Sequence, residues 1–158
     1  MNQLREKDVH FMQLALSEAR KAQERNEVPV GAVIVDETGT VLALAGNRSI
    51  ADNDPAGHAE MLALKAAGKK LGNYRLVNTT MYVTIEPCVM CAGAIVHARI
   101  RRLVFGASDS KAGAVVSRYN IGRDGKLNHR LELEAGLLAD ECAELLTSFF
   151  KKKRAQLP

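Results

Sequence analysis

The spacing of apolar positions changes several times along the chain, and each change marks an element. Between residues 8 and 25, Val9, Met12, Leu16 and Ala19 recur every three or four positions, the interval of one helix face, ahead of a charged stretch and Pro29. The pattern then tightens into two continuous apolar runs, "VPVGAVIVD" and "VLALAG", separated by "ETGT". Branched residues on both sides of a short polar turn predict an antiparallel strand pair. Helical spacing returns in "HAEMLALKAAG" from His58 onward. A buried strand is expected at "TTMYVTI" (79–85), a helix of small and apolar residues at "CVMCAGAIVHA" (88–98), and a short strand at "RLVFGA" (102–107). Residues 108–130, rich in Gly, Asp, Asn and Arg, read as irregular. "LEL" (131–133) reads as a last strand, and 137–153 as a final helix preceded by Gly136.

This order defines a fold class. A strand, a crossover helix and a second strand over 79–107 pair in parallel, and such a sheet needs helices on both faces, so the expectation is an α/β sandwich. The 158 residues suffice for one core and are too few for two ordinary ones, which predicts a single domain spanning 1–158. Repeats and low-complexity linkers are absent from the sequence.

Composition narrows the class further. An apolar fraction of 47% and a charged fraction of 25% are those of a soluble globular chain. No run approaches the roughly 18 apolar residues of a membrane span, and "MNQLREKDVH" lacks a signal-peptide core, so no membrane is expected and the cytoplasm is the expected location. Three cysteines argue against a disulfide framework and fit reduced thiols. The net charge of +4 is mild, but "RIRR" (99–102) and "KKKR" (151–154) concentrate cations where phosphates could be met; alone, such runs are ordinarily solvated faces.

The chemistry lies in two short stretches. In "EPCVMC", Cys88 and Cys91 are three residues apart and therefore share a helix face, and Pro87 opens the helix. Both thiols are expected in its first turn, where the helix dipole favours the thiolate that a metal binds. In "GHAEM", His58 and Glu60 start another helix. Two residues apart they would diverge along a helix side, yet at a first turn they can converge beyond its end. A metal between the two helix starts would be held by His58, Cys88 and Cys91. Thiolates with imidazole in a tetrahedral set point to Zn2+, and three protein ligands without an evident fourth favour a catalytic site, one ion per chain, over a closed structural one. His10, His97, His129 and Cys142 are poorly placed to be that fourth, and Cys142 reads as a small buried hydrophobe. A zinc-bound water still needs a proton carrier, and Glu60 suits that role; on its own it would read as a glutamate favoured by the helix dipole.

"HAE" followed by "PCVMC" resembles the zinc-dependent cytidine and adenosine deaminase superfamily. "EVPVGAV" (27–33), "NYRL" (73–76), "YVTIEPCVMCAGAI" (82–95), "RLVFGA" (102–107) and "LADECAELL" (138–146) extend the likeness over nearly the whole chain and are similar to the bacterial tRNA-specific adenosine deaminases. The resemblance implies a three-layer α/β/α cytidine deaminase-like fold with a mixed five-stranded sheet and a homodimer. It implies hydrolytic conversion of adenosine to inosine at the wobble position of a tRNA anticodon stem-loop, by a zinc-activated hydroxide with Glu60 as proton shuttle. A flipped-out base in a single-stranded loop suits such chemistry, because unstacking costs least there. Asn47 matches a position that hydrogen-bonds the flipped nucleotide, Asp109 one near its ribose, and Val30 and Ala59 positions lining the pocket. Phe149 with Lys151, Lys152, Lys153 and Arg154 matches the element that meets the RNA stem. Two rival readings share parts of this set: a zinc deaminase of a free base or nucleotide, such as guanine or a pyrimidine nucleotide, which has no need of the C-terminal cations, and a non-catalytic zinc-stabilised RNA-binding module, which requires a fourth ligand.

Overall fold

Residues 2–157 are described by a computed structural model. The ends of the expected 1–158 domain, Met1 and Pro158, lie outside the described residues. The elements follow in the order α1 (Gln3–Glu24), β1 (Gly31–Val35), β2 (Val41–Gly46), α2 (Ala59–Leu71), β3 (Thr80–Ile85), α3 (Val89–His97), β4 (Arg102–Ala107), β5 (Glu132–Ala135) and α4 (Ala139–Ala155). The five strands form one mixed sheet in the order β2-β1-β3-β4-β5. β1 is antiparallel to both β2 and β3, whereas β3–β4 and β4–β5 are parallel. The α/β class with helices on both faces is as the pattern predicted.

Two apolar layers hold the sheet. On one face α2 and α3 bring Ala59, Ala63, Leu64, Ala67, Ala92, Ile95 and Val96 against Ile34, Met81, Val83, Leu103 and Phe105. On the other, α1 and α4 bring Phe11, Met12, Ala15, Leu16 and Cys142 against Val33, Val35, Tyr82 and Val104. Strands covered on both sides have no polar face, which is why β1, β3 and β4 read as unbroken apolar runs rather than alternations. α1 lies especially close to β1: a Cβ on Gly31 would stand 1.9 Å from the carbonyl oxygen of Ala15, so only glycine permits this approach.

Boundaries moved where capping, not periodicity, decides them. α1 starts five residues before the expected 8, because the side chain of Asn2 accepts the backbone N–H of Arg5 at 2.9 Å and caps a solvated first turn. α4 begins at Ala139 and runs on through the basic cluster, whose cations sit favourably at a helix C-terminus. β5 lies at Glu132–Ala135, a shift from the expected 131–133. The stretch between β4 and β5 is irregular throughout, as its composition indicated. No helix among the described residues is long and apolar enough to cross a membrane.

Candidate active site and metal centre

The chemistry-bearing side chains gather beyond the carboxyl ends of the parallel strands β3 and β4, where open α/β sheets commonly leave a crevice. α2 and α3 both begin there. His58 is the N-cap of α2 and Cys88 the N-cap of α3, and neither side chain makes a capping hydrogen bond to its helix. The two residues therefore hold the place usually taken by a capping side chain while keeping their donor atoms for something else. Cys91 follows three residues on, buried in the first turn of α3, so only one of the two thiols lies within the helix itself.

Sγ of Cys88 and Sγ of Cys91 stand 3.6 and 3.4 Å from Nδ1 of His58. The three donor atoms all lie within 4.8 Å of one another, and among the described residues no other His, Cys, Asp or Glu joins them. Bonds of about 2.0 Å to nitrogen and 2.3 Å to sulfur at a tetrahedral angle span about 3.5 Å, so the triad has the shape of three corners around a zinc ion. The protonation pattern agrees. A hydrogen bond from Cys91, opposed by burial and aided by His58, brings the Cys88 thiol down to about 4, while the bond to Cys88 and burial push Cys91 up. Two thiols this close cannot both ionise without a cation beside them, which is what a zinc ligand pair requires. The bond with Cys88 raises the pKa of His58 against the pull of burial. The residues fit one Zn2+.

Glu60 occupies the second position of α2 and is 3% exposed. Burial pushes its carboxyl up to about 7, with the neighbouring Cys88 charge adding to the rise and His58 opposing it. A buried carboxyl whose pKa is raised, next to three metal-ligating groups, is suited to act as both acid and base.

His58, Cys88 and Glu60 line a cavity of about 680 Å³, within the usual range for small-molecule sites of about 300–1,000 Å³, with Cys91 buried behind them. Val30, Asn47 and Asp109 line it. Asn47 Oδ1 accepts the backbone N–H of Ala59 at 2.8 Å, capping α2, so what this side chain can offer a ligand is its NH2. Ala59 itself differs from expectation: it is fully buried in the core layer and has no surface on the cavity. Phe149 differs too. It is turned inward, 7% exposed, with the Lys153 ammonium over its ring on the side of α1, and the ring that reaches the cavity is Phe150. Of the basic cluster, Arg154 lines the cavity, while Lys151, Lys152 and Lys153 are exposed outside it.

Sequence reasoning missed Leu146 and Phe150 as lining residues. Leu146, Phe150 and Arg154 recur at four-residue steps, so helical spacing counted back from Arg154 would have placed them on one face. It also missed Glu86, for which a buried carboxylate between strand and proline gave no local signal.

Residues 5–107 match the family model of the cytidine and deoxycytidylate deaminase zinc-binding region. The chain belongs to this family of zinc-dependent deaminases. It is 51% identical over 149 residues to the tRNA-specific adenosine deaminase of Haemophilus influenzae, covering 94% of this chain and 86% of that one. Among solved structures, a chain from a study of A-to-I editing by tRNA:A34 deaminases at the wobble position of transfer RNA superposes with a TM-score of 0.83 at 49% identity, over 87% of this chain and 99% of that one. The guanine deaminase of Nitrosomonas europaea superposes with a TM-score of 0.75 at 25% identity, over 89% and 83% of the respective chains.

Proposed function

We propose that this chain hydrolyses adenosine to inosine at the wobble position of a tRNA anticodon, with His58, Cys88 and Cys91 as zinc ligands and Glu60 as proton shuttle. The observation that carries the reaction class is a three-donor cluster with no fourth protein donor among the described residues, set beside a buried carboxyl and open to a cavity. A closed structural zinc would have four protein ligands. The preference for tRNA over a free base rests on kinship: relatives bearing the tRNA-specific name stand near 50% identity, and the guanine deaminase stands at 25%.

When bound, zinc acts as a Lewis acid that makes water available as a nucleophile near neutral pH. The chain's own residues do the rest. Hydrolysis adds water at C6 of adenine and expels ammonia. Glu60 takes one proton from the attacking water and delivers it to the purine ring nitrogen, then takes the second from the new C6 hydroxyl and passes it to the amine, which leaves as ammonia, so one group is base and acid twice in turn. Asn47 donates from its NH2 to the extruded nucleotide, Asp109 takes a place near the ribose, and Val30 packs against the base. Arg154 meets a phosphate at the cavity mouth, and Lys151, Lys152 and Lys153 extend the cationic face along the stem. The reading includes a homodimer and a cytoplasmic location, where tRNA is met.

Inosine formation on an anticodon stem-loop, measured for the native chain and Glu60→Ala in zinc-containing buffer, tests the proposal. The native chain converts the wobble adenosine; the variant binds RNA and keeps its zinc but turns over at least about a thousandfold more slowly. Deamination of free guanine or nucleotides by the native chain, with the stem-loop untouched, would overturn the RNA assignment.

A further inference from the structure

Glu86 lies between the end of β3 and the start of α3, is 2% exposed, and has no part in the reaction above. Its carboxylate is ringed by donors from a single loop. Oε1 accepts the backbone N–H of Asp109 at 3.1 Å and the hydroxyl of Ser117. Oε2 accepts the successive N–H groups of Val115, Val116 and Ser117 at 3.2, 2.8 and 2.9 Å. A buried carboxylate held by converging backbone amides is a strong local organiser, because each bond is charge-assisted and each amide would otherwise need another partner. The segment it organises, residues 108–117, has no helix or strand of its own, so its shape comes from such bonds.

An independent observation marks how closely the loop wraps this group. A Cβ on Gly113 would stand 2.3 Å from both Cδ and Oε1 of Glu86 and 2.6 Å from the carbonyl oxygen of Asp109. The loop folds onto the carboxylate at a distance only glycine allows. The same loop supplies Ser108, Asp109, Ser110, Lys111 and Ala112 to the cavity lining, alongside His58, Glu60, Cys88 and the edge of Glu86 itself, whose carboxylate oxygens are taken up by the loop.

We propose that Glu86 is a positioning residue: its carboxylate is the template on which the 108–117 loop sets as a wall of the cavity, so that it governs how the substrate nucleotide is seated without touching the reacting atoms. The proposal rests on the deaminase reading given above. Glu86→Gln keeps the volume but turns one acceptor oxygen into a donor facing N–H or O–H groups, which forces the loop to repack. Gly113→Ala forces the loop and the Glu86 carboxylate apart, and Ser117→Ala removes a single donor; both substitutions lie outside the strand-to-helix segment that carries Cys88.

Steady-state kinetics on the anticodon stem-loop, with zinc content measured for each protein, provide the test. Expected are a rise in KM of about tenfold for Glu86→Gln and Gly113→Ala and about threefold for Ser117→Ala, with kcat within about threefold of native and one zinc per chain. A role confined to stability or metal retention would lower kcat in proportion to lost zinc and leave KM unchanged, and that result overturns the proposal. Should Glu86→Gln fail to fold, native KM values in Gly113→Ala and Ser117→Ala overturn it equally. Absence of inosine from the native chain overturns the deaminase reading and this proposal together, whereas native turnover with unshifted KM in the variants removes this proposal alone.

Discussion

Asp8 shows what a single residue can conceal. It sits on the core side of α1, 2% exposed, at a position where an amphipathic helix ordinarily places an apolar side chain. Arg102 donates to it through two nitrogens at 2.8 and 2.7 Å, and the Tyr82 hydroxyl donates at 2.6 Å. Burial works to raise its pKa, but the bonds from Arg102 and Tyr82 and the charges of Arg102 and Arg5 outweigh burial and hold it below the ordinary carboxylate value. A pKa lowered on folding means stability that is present above the unfolded value of 3.8 and lost as pH falls through the native one. Asp8→Asn should therefore lower the melting temperature by about 5–10 °C at pH 7, for a loss of about 2–3 kcal/mol, with the gap between native and variant closing as pH drops below about 4. A gap as wide at pH 3 as at pH 7 would refute the assignment. Nothing local in "REKDVHF" announces this arrangement, because the partner guanidinium is 94 residues away. His58, Cys88 and Cys91 were legible for the opposite reason: a metal demands particular donor types at close spacing, and that demand is written locally.

At the scale of elements, helix starts and the last helix divide the work. α2 and α3 meet at their N-termini, and the N-cap positions carry His58 and Cys88 in place of capping groups, so the local rule for a helix start is broken where the chemistry sits. α4 presents three faces. Cys142 and Phe149 point inward, Leu146, Phe150 and Arg154 line the cavity, and Lys151, Lys152 and Lys153 face solvent. Composition could mark the run as cationic, but only the helix phase separates Arg154 from the lysines beside it and Phe150 from Phe149. On the proposed function, Arg154→Ala should weaken stem-loop binding and reduce the slope of log affinity against log salt by about 1, with a smaller change in affinity for Lys152→Ala, whose charge stands away from the cavity. Filter binding between about 50 and 200 mM salt measures both. Equal losses for the two variants would mean that the cluster acts as a diffuse field and that Arg154 has no seat at the mouth.

The whole molecule separates a face that holds the fold from a face that carries the site. α1 covers one side of the sheet, with Met12 and Leu16 sealed against β1 and β3, α2 and α3 on the other side aim their N-termini at the cavity, and α4 serves both, packing Cys142 inward while Leu146, Phe150 and Arg154 line the cavity. The positions of the strands and the parallel pairing of β3 with β4 were legible because doubly covered strands have a distinctive apolar continuity; the site's walls were not, because they come from loops such as 108–117 whose shape depends on a distant carboxylate. The α2–α3 side has a further feature: a second groove whose lining includes Met61, Leu64, Tyr74, Ala94 and Ala98 together with Lys65 and Lys69, where Tyr74 is 77% exposed and α3 offers small side chains that allow a close approach. We propose that the expected homodimer forms here, since a mainly apolar floor with polar groups around it and one protruding aromatic is what a self-complementary contact uses. Sedimentation of the native chain at tens of micromolar should then give twice the 17.2 kDa chain mass, and Ala94→Arg, which places a charge in the groove without touching the triad, should give the chain mass with zinc retained. A native chain that sediments as a monomer removes the dimer, and a dimer that survives Ala94→Arg removes it from this groove.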